Sequence, residues 1–277
     1  MIGTLEAAAL SVVLVLGCGP TSTPASEPAL SPTTPPSATA SQVAAASPTP
    51  VPTNDPRAQG ATSTTVASRT SADPLYERPY VGAYELPNQP PGGTLDHGAL
   101  PSIWYVTKGT VRWTTTSGTV IDLKAGEAAA TPTQGFVESN PGASVNTAYG
   151  FVVYAIQSRL LLGNQVQREI VASPMLPIPQ PPGPYTLRLD LVTLEAGGRT
   201  SAASHAGAAI LVVLEGDIEV RQQGGKHEYI TSGKGISLMP SAAIQVFNRG
   251  QAGVRVLGFF YTPDSKPFET LLTSPLN

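Results

Sequence analysis

Cysteine is nearly absent from this 277-residue chain: the single thiol, Cys18, excludes a disulfide framework and any thiolate metal cluster. Charge is scarce too, at 13% of residues. A formal net charge of −3 leaves no clustered Lys and Arg of the kind that phosphate binding requires, so no nucleic-acid partner is expected. Aromatic residues make up 6% and none precedes Tyr76, which confines a packed core to the remainder of the chain. No apolar run approaches the roughly 20 residues of a bilayer-spanning helix. Helical periodicity is confined to two short stretches, residues 159–162 and 266–272. The chain also lacks a G-x-S-x-G elbow, a P-loop, an H-E-x-x-H pair and a dinucleotide fingerprint.

What is present begins with an apolar run at residues 7–17, the length of a secretory h-region. It ends in Val15-Leu16-Gly17-Cys18, which resembles the lipobox of bacterial lipoproteins. The resemblance implies a signal peptide over residues 1–17, lipidation of Cys18, and an extracytoplasmic protein anchored to the bacterial cell membrane. Leu16 is bulkier than the usual residue there, and Glu6 stands where such signals carry a positive charge. Residues 18–72 are dominated by Pro, Ser, Thr and Ala. Such a segment buries too little apolar surface to offset its ordering entropy, so a disordered tether is expected. Polyproline-like stretches at about 3.1 Å per residue would let it hold a domain clear of the membrane.

From residue 74 the texture changes to short β-rich runs punctuated by Gly, Pro and Asn. Residues 103–106, 109–113 and 119–123 read as strands. Residues 186–194 alternate Leu187, Leu189 and Leu191 with Arg188 and Asp190, which predicts a half-buried strand. Residues 210–214 are continuously apolar and predict a buried one. Two halves then match. His97 precedes Pro132, and His205 precedes Pro240, by the same 35 residues; turn glycines follow at Gly109 and Gly216. Asn140 and Asn248 come eight residues after each proline, and each half closes on a similar strand, Gly150-Phe151-Val152-Val153-Tyr154 and Gly258-Phe259-Phe260-Tyr261.

These residues resemble a bicupin. The second half carries the closer match: Gly197, His205, the Val213 to Val220 turn, Gly233-Lys234-Gly235, Pro240 and Asn248. The resemblance implies an all-β chain of two tandem jelly-roll barrels, at residues 73–157 and 185–264, joined by a connector at 158–184 and followed by a tail at 265–277. It also implies a central pocket in each barrel. The family's metal site takes three His and one Glu. Counted back from Gly216, the first-motif positions hold Ala203, His205 and Ala209, and the second-motif His position falls at Gln245, or at Ile244 one register away. Counted back from Gly109, they hold Leu95, His97 and Ser102, and the third His position falls at Val137. One imidazole in each barrel is too few to retain a divalent cation, so no metal and no cofactor are expected.

His97, His205 and Gln245 remain as candidate ligand-binding residues. Each histidine is read either as a relic satisfied by a hydrogen bond at the barrel mouth or as a polar handle on a bound molecule. His227 is expected to be solvent-exposed in a turn, and Trp104, Tyr105 and Trp113 to be core. No catalytic set is assigned: Ser201 and Ser204 near His205 have no positioned acid, Asp190, Glu195 and Asp217 have no pair spacing, and Asp96 points away from its neighbour His97 on a strand. The reading is a lipid-anchored bicupin that binds a small neutral ligand or serves as a structural module, with a homodimer among its possible assemblies. The alternative is a cupin oxygenase, decarboxylase or isomerase with an atypical site.

Overall fold

The computed structural model describes residues 56–71, 79–98, 100–155, 168–174, 176 and 183–276. Cys18, the apolar run before it, residues 18–55 of the expected tether and the short periodic stretch at 159–162 lie outside these residues. Every regular element among the described residues is a β-strand, and all pairings are antiparallel. The first strand corrects the tether's boundary. β1 (Gln59–Ser71) lies within residues 18–72, yet it forms a 13-residue strand paired along β11 (Tyr185–Arg199) of the second half. Its composition is that of the tether, but Thr62, Thr64 and Thr70 have strand propensity. An open sheet edge supplies the hydrogen bonds that an isolated segment lacks.

The first half forms two facing sheets. One contains β2 (Tyr80–Gln89), β4 (Ser102–Lys108), β7 (Ala128–Ala130), β9 (Asn146–Tyr154) and β10 (Arg168–Ala172), in the order β10-β2-β9-β4-β7. The other contains β3 (Thr94–His97), β5 (Thr110–Thr115), β6 (Val120–Lys124) and β8 (Phe136–Ser139), in the order β3-β8-β5-β6. β10 falls in the expected connector but completes this barrel by pairing with β2.

In the second half the main path runs β15 (Lys226–Thr231), β14 (Asp217–Gln222), β17 (Ala243–Asn248), β11, β18 (Val254–Pro263), β13 (Ala208–Glu215) and β16 (Gly235–Leu238). β12 (Ala203–His205) pairs with β17 and with β19 (Glu269–Leu271). The stretch at 266–272, periodic in sequence, is therefore a turn followed by a strand. The turn is closed by Lys266 N–H donating to Pro263 O, and the edge of β12 captures the residues that follow.

The repeat is physical. Gly109 and Gly216 both take positive φ, +72° and +77°, between adjacent strands. A Cβ at either would lie within 3 Å of a neighbour, Asn146 or Val254, so only glycine fits. Asn140 and Asn248 are both buried and clamp equivalent loops. Each side-chain oxygen accepts the N–H two residues on, from Gly142 or Gly250, and each Nδ2 donates to the carbonyl four residues on, of Ser144 or Ala252.

The largest apolar cluster lies between the barrels. Val81, Ile103, Tyr105, Phe151 and Val153 of the first meet Leu187, Leu189, Ile210, Leu257 and Phe259 of the second. Phe151 stacks on Phe259 with centroids 5.4 Å apart. This explains the continuous apolar strands, which are buried on both faces. It also corrects β11, expected to be half-buried. Leu187 and Leu189 face the other barrel, and Arg188 and Asp190 turn inward to their own.

Candidate functional site

The two barrel interiors are filled differently. In the first, Leu86, Trp104, Trp113 and Phe136 occupy the space between the sheets. Trp104 lies over Gly150, where an added Cβ would stand 2.7 Å from the indole. Trp104, Tyr105 and Trp113 are core, as the sequence predicts. His97 stacks on Phe136 at 4.9 Å and meets Trp104 edge-on at 5.4 Å. Its Nε2 lies 3.1 Å from Oε2 of Glu138, a carboxylate with no exposed surface. Val137, the expected inward position, is 37% exposed. Along β8 burial alternates, with Phe136 and Glu138 turned in and Val137 turned out, so the sequence count was one residue off. Asp96 is exposed on the opposite face from His97.

The second barrel keeps an open interior. A cavity of about 290 Å³ is lined by Ala203, His205, Leu211, Ile244, Val256 and Phe260, with Arg188, Asp190, Phe268 and Glu269 on its polar side. Ala58, Ala61, Thr62 and Ser63, at and beside the start of β1, close part of its wall. Of the expected pocket residues, Ala203, His205 and Ile244 line the cavity. Gln245 does not: it is fully buried and its Nε2 donates to Thr200 O at 2.9 Å. Ile244 and Val246 point to the cavity and Gln245 between them points away, so Gln245 is withdrawn as a ligand-binding candidate and Ile244 takes its position.

The histidines also differ in placement. His97 pairs with Phe136 across β3 and β8, whereas Ala203, two residues before His205, pairs with Ile244 across β12 and β17. By strand register Ala203 is the counterpart of His97. The equal 35-residue spacings therefore do not make His97 and His205 equivalent.

His205 stacks on Phe260 at 4.7 Å and meets Phe268 edge-on at 5.5 Å. Burial pushes its pKa down to about 4, so the ring is neutral at pH 7. Its Nδ1 has no hydrogen-bond partner among the described residues. Glu269 stands directly opposite on β19, and burial raises its carboxyl above the usual range despite Arg188. Arg188 donates from Nε to Asp190 Oδ1 at 2.7 Å, and its guanidinium lies 4.0 Å over the Phe268 ring. The cavity thus has an apolar wall and a polar wall on which the cation is already paired. In the sequence Asp190 has no pair spacing, and no motif marks Arg188, Phe268 or Glu269. The alternation along β11 contained the signal, had the polar face been assigned inward.

The resemblance of the sequence to cupins raises the question of a metal. Among the described residues no group of three or more His, Cys, Asp or Glu is arranged to hold an ion. Alanine and isoleucine stand beside His205 at the inward positions, and Phe136 stands against His97, so these residues do not fit a metal centre.

His227 is exposed, as expected, but bonded: its Nδ1 lies 2.9 Å from Glu219 Oε1. Burial alone would raise the Glu219 carboxyl, yet its bonds to Arg249 and Arg221 bring it below its usual value.

No family model matches this sequence, and no curated protein matches it. Solved structures do. An oxalate decarboxylase is 12% identical over 76% of this chain and 80% of its own, with a TM-score of 0.50. AerE from Microcystis aeruginosa is 10% identical over 75% of this chain and 99% of its own, with a TM-score of 0.47. A salicylate 1,2-dioxygenase from Pseudoaminobacter salicylatoxidans is 12% identical over 70% and 76%, with a TM-score of 0.44. At 12% identity the oxalate decarboxylase likeness concerns the fold alone, an all-β chain of two tandem barrels of the cupin type.

Proposed function

We propose that this chain is a metal-free bicupin, lipid-anchored outside the cytoplasm through Cys18, whose second barrel binds a small neutral molecule. The cavity at His205 carries the reading. Its cation is neutralised by Asp190, its histidine is uncharged, and the rest of the lining is aliphatic and aromatic apart from Glu269 and the uncharged hydroxyls of Thr62, Ser63, Thr200 and Ser201. An incoming carboxylate or phosphate would find no free positive charge on this wall, and burying an unpaired anion is strongly unfavourable. An apolar or weakly polar guest gains roughly 25 cal/mol for each Å² of apolar area removed from water. A volume of about 290 Å³ suits a compact ring or short-chain molecule. The first barrel, filled by its own aromatic residues, is assigned a structural role.

A thermal-shift panel tests this. Neutral ring compounds and sugars are expected to raise the melting temperature saturably, and small dicarboxylates and phosphate esters are not. Ile244→Trp, which fills the cavity, is expected to abolish the shift. Saturable binding of a dicarboxylate would overturn the neutral-ligand reading. Elemental analysis of the native protein is expected to find no stoichiometric Mn, Fe, Ni, Cu or Zn. Near one metal per barrel, lost on His205→Ala, would favour the alternative of a metalloenzyme with an atypical site. For the anchor, Cys18→Ala is expected to release the protein from the membrane fraction.

A further inference from the structure

We propose that the N-terminal half of β1 is a strap across the mouth of the second-barrel cavity, hinged at the bulge between Thr65 and Ala67, and that its release admits ligand. The inference rests on the binding reading for what enters and on geometry for the strap. Ala58, Ala61, Thr62 and Ser63 line the cavity wall, so lifting this stretch opens it. Among the described residues β1 pairs with β11 alone, and release breaks a single ladder.

The two halves of β1 are held unequally. Beyond the hinge, Val66 and Ala67 pack against the core cluster shared by both barrels, and Arg69 Nη1 donates to Thr131 O of the first barrel at 3.0 Å. Before the hinge, Ala61 packs at the edge of the second barrel's own core cluster. Besides its ladder to β11, the remaining ties are polar: the exposed Thr62–Thr193 hydroxyl pair, Arg199 donating to Gln59 Oε1 at 2.8 Å and to Arg57 O at 3.0 Å, and Ala202 N–H donating to Pro56 O at 2.6 Å. Polar ties exchange readily with water, whereas the apolar end does not.

Register shifts at Gln59/Ala61 and Thr65/Ala67 bracket the cavity half, and a bulge interrupts a ladder and lets a strand bend there. The result is a segment of low local stability fixed at one end. Any pull arriving through the residues before 56 loads the cavity end first and peels the strap from there.

The test uses the full-length chain with Cys18→Ser, so that a Thr62→Cys/Thr193→Cys pair is the only thiol pair. Diethyl pyrocarbonate, which acylates neutral imidazole, reports cavity access residue by residue in mass spectrometry. His205 is expected to react at least tenfold more slowly in the oxidised protein than in the same protein reduced, with His227 unchanged. Gln59→Ala/Thr62→Ala, which removes side-chain ties from the strap alone, is expected to speed His205 several-fold. Equal His205 rates before and after reduction overturn the strap, as does a double variant that reacts no faster. Slowed acylation in a protein that none of the neutral probes stabilises leaves the strap standing and the binding reading fallen. Neutral probes that enter the locked and reduced forms at equal rates overturn the strap alone.

Discussion

Single residues in this chain are decided by whether their polar atoms find partners. Asn248 donates to the carbonyls of Leu194, Glu195 and Ala252 while accepting from Gly250, so one amide closes a loop and ties it to β11. Asn248→Ala would leave those groups buried and unpaired, and a loss of about 1–3 kcal/mol is expected in urea unfolding. His205 has the opposite character. Its folded pKa, lowered by burial to about 4, lies below the ordinary 6.5, so between these values the unfolded chain binds a proton that the folded one refuses. Its contribution to stability is complete above pH 6.5 and declines as pH falls toward 4. Glu269 acts in reverse: its raised carboxyl contributes at low pH, and that contribution is lost as pH rises through the folded value. His205→Gln is therefore expected to flatten the fall in melting temperature between pH 6.5 and 4. An unchanged slope in scanning calorimetry would place the acid sensitivity on other groups.

At the scale of elements, β1 and β11 carry the largest departures from the sequence pattern. β11 alternates leucines with charged residues, the usual mark of a strand with one face in water. Here both faces are covered, one by the neighbouring barrel and one by the cavity and its Arg188–Asp190 pair. β1 looks like linker and behaves as structure because the edge of β11 was open to it. A truncation series separates the two parts of that segment. Removing residues 1–55 is expected to leave the melting temperature nearly unchanged. Removing residues 1–71 strips Ala61, Val66 and Ala67 from the two cores they touch and bares the edge of β11, and a drop of several degrees is expected. Equal melting temperatures for the two truncations would mean that β1 contributes nothing to the barrels.

Among the described residues the two barrels are organised around the cluster between them rather than around either interior. Phe151 and Phe259, in corresponding places in the repeat, stack on each other, and Arg255 joins Glu215 of its own barrel to the Tyr105 hydroxyl of the other at 2.9 Å. Burial of each such aromatic or aliphatic side chain contributes about 1.5–3 kcal/mol, so exposing one face of this cluster would cost a large part of a typical stability. The barrels are accordingly expected to unfold in one calorimetric transition. Phe151→Ala is expected to lower stability by about 3–5 kcal/mol and to move that single transition as a whole. Two separated transitions in the variant would show the barrels to be independent.

Repetition was legible from the chain because it is written in local chemistry. Turn glycines with positive φ, loop-clamping asparagines and apolar closing strands recur at fixed spacing, and each is set by its immediate backbone. The all-β class and the tandem barrels follow from those marks. The site was legible only in part. His205 and Ala203 line the cavity, but a one-residue error in counting separates Ile244 from Gln245 and Phe136 from Val137, and in a strand one residue reverses the face. The rest depended on contacts between segments far apart in sequence: Glu138 against His97, Glu269 opposite His205, and β1 laid along β11. Periodicity tells which residues share a face. Which face meets water, which meets a neighbouring barrel and which encloses a cavity was decided by the tertiary packing, because only the assembled sheets determine what lies beyond each face.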